Sequence, residues 1–307
     1  MALGNLGGAL QKTGRFEEAI TAHQDAAAIY RETGDRHREG RALNNLGLAL
    51  AGAQRFEEAI GAHEDAAAIY RETGDRHDEA VALANLGLAL AGVQRFEEAL
   101  TAYQGATAIF RETGDQHRER TALEQARGSF QRAAEAGATG AMFALGVLLA
   151  DRVDPPELEQ ARGWFQKAAE AGDTGAMFAL GVLLADRVDP PELEQARGWY
   201  RKAAEAGNTS AMHYMGDLYA AQGDADGASR AWRRVIEEDQ QDDLVVAATL
   251  ALAAVSALKA DYQSARELFE IAGARGWTSA GTCTAAFDPN PLIRADAYMT
   301  LPGILIR

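Results

Sequence analysis

The chain has 307 residues, 47% of them hydrophobic and 24% charged, with a net charge of −15 and only seven prolines. That balance excludes a disordered chain, and with no net-basic segment it argues against nucleic acid or an anionic membrane as a direct partner, because both require a concentrated positive patch. A single cysteine, Cys283, precludes an intramolecular disulfide and points to a reducing, cytoplasmic setting. The opening MALGNLGGALQKTG lacks the basic region and apolar core of a secretion signal, and the run from Leu244 to Leu258 is too short to span a bilayer.

Taken in order, Met1 to Gly14, Arg41 to Gln54 and Val81 to Gln94 share the frame A-L-x-N-L-G-x-A-L. The spacing predicts a helix A whose face is Leu3, Leu6 and Leu10, repeated at 43, 46, 50 and 83, 86, 90. Gly7, Gly47 and Gly87 occupy its interior at a cost of about 1 kcal/mol each against alanine, which predicts a close crossing by the partner helix. Ala19, Ala59 and Ala99 are the small residues expected to face that crossing.

Each helix A precedes a copy of RFEEAITAHQDAAAIYRETGDRH (15–37), returning 40 and 80 residues later. Phe16, Ala19, Ile20, Ala26, Ala27 and Tyr30 fall on one stripe of a helix B. One such helix cannot bury its stripe alone, so the copies must stack. E-T-G-D closes each pair: Gly34, Gly74 and Gly114 supply a left-handed cap, and Asp35, Asp75 and Asp115 the N-cap of the next helix. The pattern of Leu-Gly in helix A, small Ala at the start of helix B, and a ring four residues on resembles the tetratricopeptide repeat. Its 40-residue period is similar to that of the kinesin-light-chain variety.

From about Leu123 the period becomes 35. Residues 140–164 and 175–199 are identical (GAMFALGVLLADRVDPPELEQARGW), and a worn copy runs from Ser210 to Trp232. Asp154-Pro155-Pro156-Glu157 reads as a helix start, with Asp as N-cap and Pro at the first helical position, and Asp189 to Glu192 repeats it. The frame A-x-x-x-L-G followed by A-x-x-W-[FY]-x-x-A-A-x-x-G resembles the Sel-one-like repeat, whose helix-pair fold it implies. Arg120 to Gly137 starts in register with helix A of the first array and ends as helix B of the second, so one shared helix is expected. A degenerate last pair covers 244–259 and 261–276; Thr282 to Arg307 has no helical period.

These patterns predict an all-α, superhelical solenoid of antiparallel helix pairs: a tetratricopeptide array over 1–118, a Sel-one-like array over 119–240, a last pair over 241–281 and an irregular tail over 282–307. The expected function is a protein-interaction scaffold or adaptor, not an enzyme, taking a peptide or partner helix in a concave groove. Near-identical arrays joining these two families resemble repeat regions of actinobacterial regulatory proteins, which implies a regulatory, signal-transducing role. A rival reading is a non-autonomous regulatory fragment of a larger signalling protein.

The resemblance implies that helix A lines the groove, with Asn5, Asn45 and Asn85 pointing in, where an amide pairs with the backbone of an extended peptide. Arg41 and Asn44 would add polar contacts, while Gly4, Leu48 and Leu88 would make the wall less polar. Hydrogen bonding of the asparagines between neighbouring helices is an equal alternative. His23 and His63 share a position with Tyr103 and read as packed rings. His37, His77 and His117 are one repeat apart, too far to share an ion, so no metal or cofactor is expected. Ser256-Ala-Leu-Lys259 and Lys12-Thr-Gly14 match two serine-lactamase signatures, a hydrolase reading that fails on context because Ser-Asp-Asn is absent and the order is reversed.

Overall fold

The computed structural model describes residues 2–275 apart from 152, 154, 240, 241 and 260, and among these the only regular structure is helical. The tail expected over 282–307, and Cys283 within it, lie outside the described residues. The helices divide into two units, between Ala171 and Gly172.

The first unit holds α1 (Ala2–Lys12), α2 (Phe16–Thr33), α3 (Arg36–Gly52), α4 (Phe56–Thr73), α5 (Arg76–Gly92), α6 (Phe96–Glu112), α7 (Gln116–Glu135), α8 (Thr139–Asp151) and α9 (Leu158–Glu170). Each packs on the next, and α1, α3, α5 and α7 also contact one another in series, forming the inner row of the stack. The turns follow the local chemistry. Gly34, Gly74 and Gly114 have φ of +73°, +76° and +75°, and the carboxylates of Asp35, Asp75 and Asp115 accept from the backbone N–H three residues on, at 3.2, 3.2 and 3.0 Å. α7 is the expected shared helix, packing on α6 and on α8.

Stacking is reinforced by ions. The carboxylate of Glu39, 1% exposed, is held by Arg31 and Arg36, both at 2.7 Å; Glu79 is held by Arg71 at 2.9 Å and Arg76 at 2.6 Å. A buried carboxylate needs such partners, and here they come from the helix before and from its own first turn. Ile29 is 48% exposed, whereas its counterparts Ile69 and Ile109 are 5% exposed.

Two local expectations are corrected. What lies over the helix A glycines is a ring, not the alanines at 19, 59 and 99. A Cβ on Gly7 would meet His23 at 2.5 Å, on Gly47 His63 at 2.5 Å, and on Gly87 Tyr103 at 2.9 Å. Ala19, Ala59 and Ala99 are themselves fully buried. Secondly, α9 begins at Leu158, after both prolines, with Glu157 as its N-cap residue. The Glu157 amide is tied back to the Leu149 carbonyl at 2.9 Å, and its carboxylate takes both arms of Arg127 on α7 at 2.7 and 3.2 Å. With those bonds made, the helix begins at Leu158.

The second unit comprises α10 (Thr174–Val182), whose end widens into a π turn over Leu183–Arg187, then α11 (Leu193–Glu205), α12 (Thr209–Ala221), α13 (Ala225–Glu238), α14 (Asp242–Leu258) and α15 (Tyr262–Ala274). Here too the helix start lies beyond the prolines, with the Glu192 amide bonded to the Leu184 carbonyl at 2.8 Å. The ring-on-glycine contact recurs as Tyr200 on Gly181 and Trp232 on Gly216, as it does in the first unit with Phe165 on Gly146. Leu250, Ala253, Ala265 and Phe269 form the core of the last pair.

Candidate functional site

The inner row of the first unit carries a recess of about 670 Å³. Its walls are one face of three helices at helical spacing: Leu48 and Gly52 of α3, Asn85, Leu88 and Gly92 of α5, and Ser129 and Arg132 of α7. Phe56 and His63 of α4 close the floor. Leu48 and Leu88 are 38% and 40% exposed, large apolar side chains that the stack leaves uncovered.

Below the wall lies a hydrogen-bonded network. The Asn44 side-chain oxygen accepts from the Asn85 amide at 3.1 Å and from His63 Nδ1 at 2.9 Å. Because that oxygen can only accept, His63 carries its proton on Nδ1. Burial lowers the His63 pKa to about 4, so the ring is neutral near pH 7. The contact explains a difference between copies: Gly4 stands where Asn44 does, and the buried Nδ1 of His23 has no hydrogen-bond partner among the described residues.

The sequence-predicted residues therefore separate. Leu48, Leu88 and Asn85 meet in the large recess. Asn5, Asn45 and Arg41 meet in a smaller one of about 230 Å³, together with Tyr30 and Arg38. Asn44 stands apart: at 9% exposure, with its oxygen doubly engaged, it supports the wall and is not part of its surface. Asn85 bonds a neighbouring helix through one N–H, and its side chain also lines the recess.

Sequence reasoning missed Ser129 and Arg132. The signal was available in the register of the shared helix, which places Arg132 at the position of Gly52 and Gly92. Arg132 Nε donates to the Gly128 carbonyl at 3.0 Å, leaving the rest of the guanidinium at the recess.

Other singled-out groups have structural roles. The His37, Asp75 and Asp78 ligand atoms lie within 4.8 Å of one another, but Asp75 caps α5 and bonds His37 at 3.2 Å. Ser256 is 9% exposed within α14; Thr13 Oγ1 donates to the Leu10 carbonyl at 2.9 Å, and Gly14 has φ +75° in the turn that follows. No helix among the described residues is long and apolar enough to cross a membrane.

A Tetratricopeptide repeat model matches residues 1–72 and 40–112, and a Sel1 repeat model matches residues 139–173, 174–208 and 256–277. No curated protein matches the chain. Similar solved structures include a protective antigen present in uropathogenic Escherichia coli strains displaying an SLR fold, at 20% identity and TM-score 0.44 over 85% of this chain and 64% of that one. Another is a Sel1 repeat protein from Oxalobacter formigenes, at 20% identity and TM-score 0.41 over 88% of this chain and 96% of that one. This chain thus spans 64% of the length of the first of them. From its own repeats, the chain is an array of tetratricopeptide repeats over residues 1–112 followed by Sel1 repeats between residues 139 and 277.

Proposed function

We propose that the chain is a regulatory adaptor whose first unit binds a partner protein through an extended peptide laid along α3, α5 and α7. Tetratricopeptide and Sel1 repeats form protein–protein interaction scaffolds, and recognition falls to the helices that line the large recess, α3 to α7.

The observation that carries the reading is the convergence of exposed Leu48 and Leu88 with Asn85 and Arg132 on one recess. Two leucines offer apolar anchorage at about 25 cal/mol per Å² of surface removed from water. Asn85, held by Asn44, keeps its carbonyl oxygen and second N–H for a peptide backbone, so little side-chain entropy is lost on binding. Arg132 suits a carboxylate on the ligand.

A peptide library displayed on phage and selected on the intact chain tests this. Selected peptides are expected to lose at least about tenfold in affinity for the Leu48→Glu/Leu88→Glu chain while its melting temperature stays within a few degrees of the parent. Equal affinity for both chains refutes the groove.

A further inference from the structure

The second unit carries an opening that the repeat pattern of its own neighbours would close. We propose that the recess between α11, α12 and α13 is a second, independent binding site, for an acidic peptide segment bearing one large apolar side chain. Its volume is about 350 Å³, at the small end of ligand pockets and sized for a single anchoring residue.

The ring-on-glycine contacts align the helix B copies without ambiguity, placing Phe165, Tyr200 and Trp232 at one position. One residue earlier stand Trp164, Trp199 and Ala231; two earlier, Gly163, Gly198 and Arg230. In the first two copies the indole is covered by a lysine, Lys167 at 4.1 Å from the Trp164 ring and Lys202 at 4.0 Å from the Trp199 ring. In α13 the indole is gone, Ala231 lines the recess, and Arg234 occupies the lysine's place. The recess thus opens beside the position at which two other copies carry tryptophan.

The exchange also adds positive charge. Arg230 and Arg234 reach the recess from α13 and Arg201, in place of Gln166, from α11, against one carboxylate, Glu205. The floor is apolar, with Met212 and Met215 1% and 6% exposed. Arg234 pairs with Glu238 at 3.0 Å. Among the described residues Arg201 and Arg230 have no salt-bridge partner, and Asp226, which Arg230 influences, has its carboxylate taken by Lys259 at 2.5 Å. In a chain of net charge −15, a concentration of unpaired guanidinium groups over methionine side chains selects an anionic ligand with an apolar body. In a scaffold built for protein partners, that ligand is a peptide carrying Asp or Glu beside an aromatic or large aliphatic residue.

The test is fluorescence anisotropy on the full chain with the fluorescein-labelled peptide DDFDD. Expected are saturable binding, no binding of KKFKK, and weaker binding of DDADD. Arg230→Gly and Arg201→Gln, each restoring the residue of another copy, should weaken DDFDD about tenfold apiece. Ala231→Trp, restoring the indole, should abolish it. If Ala231→Trp alters the circular dichroism spectrum, the two arginine replacements decide the matter. No saturation by about 1 mM peptide, or equal binding by Arg230→Gly and the parent, overturns the proposal. So does binding to phosphatidylserine-containing vesicles that Arg230→Gly removes, since the cations would then serve a membrane.

Discussion

Gly47 and Gly61 both lie inside helices, and replacing each by alanine should move stability in opposite directions. A Cβ on Gly47 would sit 2.5 Å from His63 Cε1, about 1 Å inside ordinary van der Waals contact, whereas one on Gly61 meets nothing within 4 Å. Helix propensity favours alanine by about 1 kcal/mol at both sites. At Gly61, exposed on α4, that gain is uncontested, and Gly61→Ala should stabilise by about 0.5–1 kcal/mol. At Gly47 the His63 ring is 1% exposed and has nowhere to go without breaking its bond to Asn44. Overpacking costs about 1–3 kcal/mol and the lost hydrogen bond about 1. After the propensity gain, Gly47→Ala should destabilise by about 1–3 kcal/mol. Urea titrations followed by far-UV circular dichroism read both, as midpoint shifts of opposite sign, with any change of slope marking a loss of two-state behaviour in the array. If Gly47→Ala raises the midpoint as Gly61→Ala does, the ring does not set the helix A to helix B spacing.

Asn44→Ala, the residue of the third copy at Ala84, should leave the buried His63 Nδ1 without an acceptor, costing about 1–3 kcal/mol in a urea titration. The same variant should weaken groove peptides as Asn85→Ala does, because Asn85 loses its anchor; unchanged affinity would separate the network from binding. Lowering the pH should also act through His63. Its folded pKa, about 4, lies below the unfolded value of about 6.5, so its contribution is complete above pH 6.5 and is lost as pH falls toward 4. By pH 5 that loss amounts to about 2 kcal/mol. His23, also lowered by burial, acts in the same direction. His63→Tyr, as in the third copy, should remove most of the difference between urea midpoints at pH 7 and pH 5.

The repeat architecture was legible because its determinants are local. Gly34 and Asp35 specify their turn through one residue's φ and one carboxylate three residues from its donor, so each copy announces its own boundary. The same locality misled at Pro155 and Pro156. Proline after aspartate is a sound helix-start signal, yet Glu157 is bonded to Leu149 and to Arg127, and the helix begins only at Leu158. Asn5, Asn45 and Asn85 illustrate the limit at the groove. They are equivalent in sequence, but only Asn85 has an Asn44 opposite it and only it enters the large recess.

What the sequence by itself determined is the repeating unit: helix A, helix B, the caps at Gly34-Asp35 and its copies, and the shared helix that joins the arrays. Those features depend on periodicity and on near neighbours along the chain. Tertiary structure alone decided which exposed side chains meet. Leu48, Leu88 and Arg132 are 40 and 44 residues apart, and their convergence depends on how far each helix pair is displaced from the last. The second recess likewise appears only once α11, α12 and α13 are packed, since residues of all three helices line it.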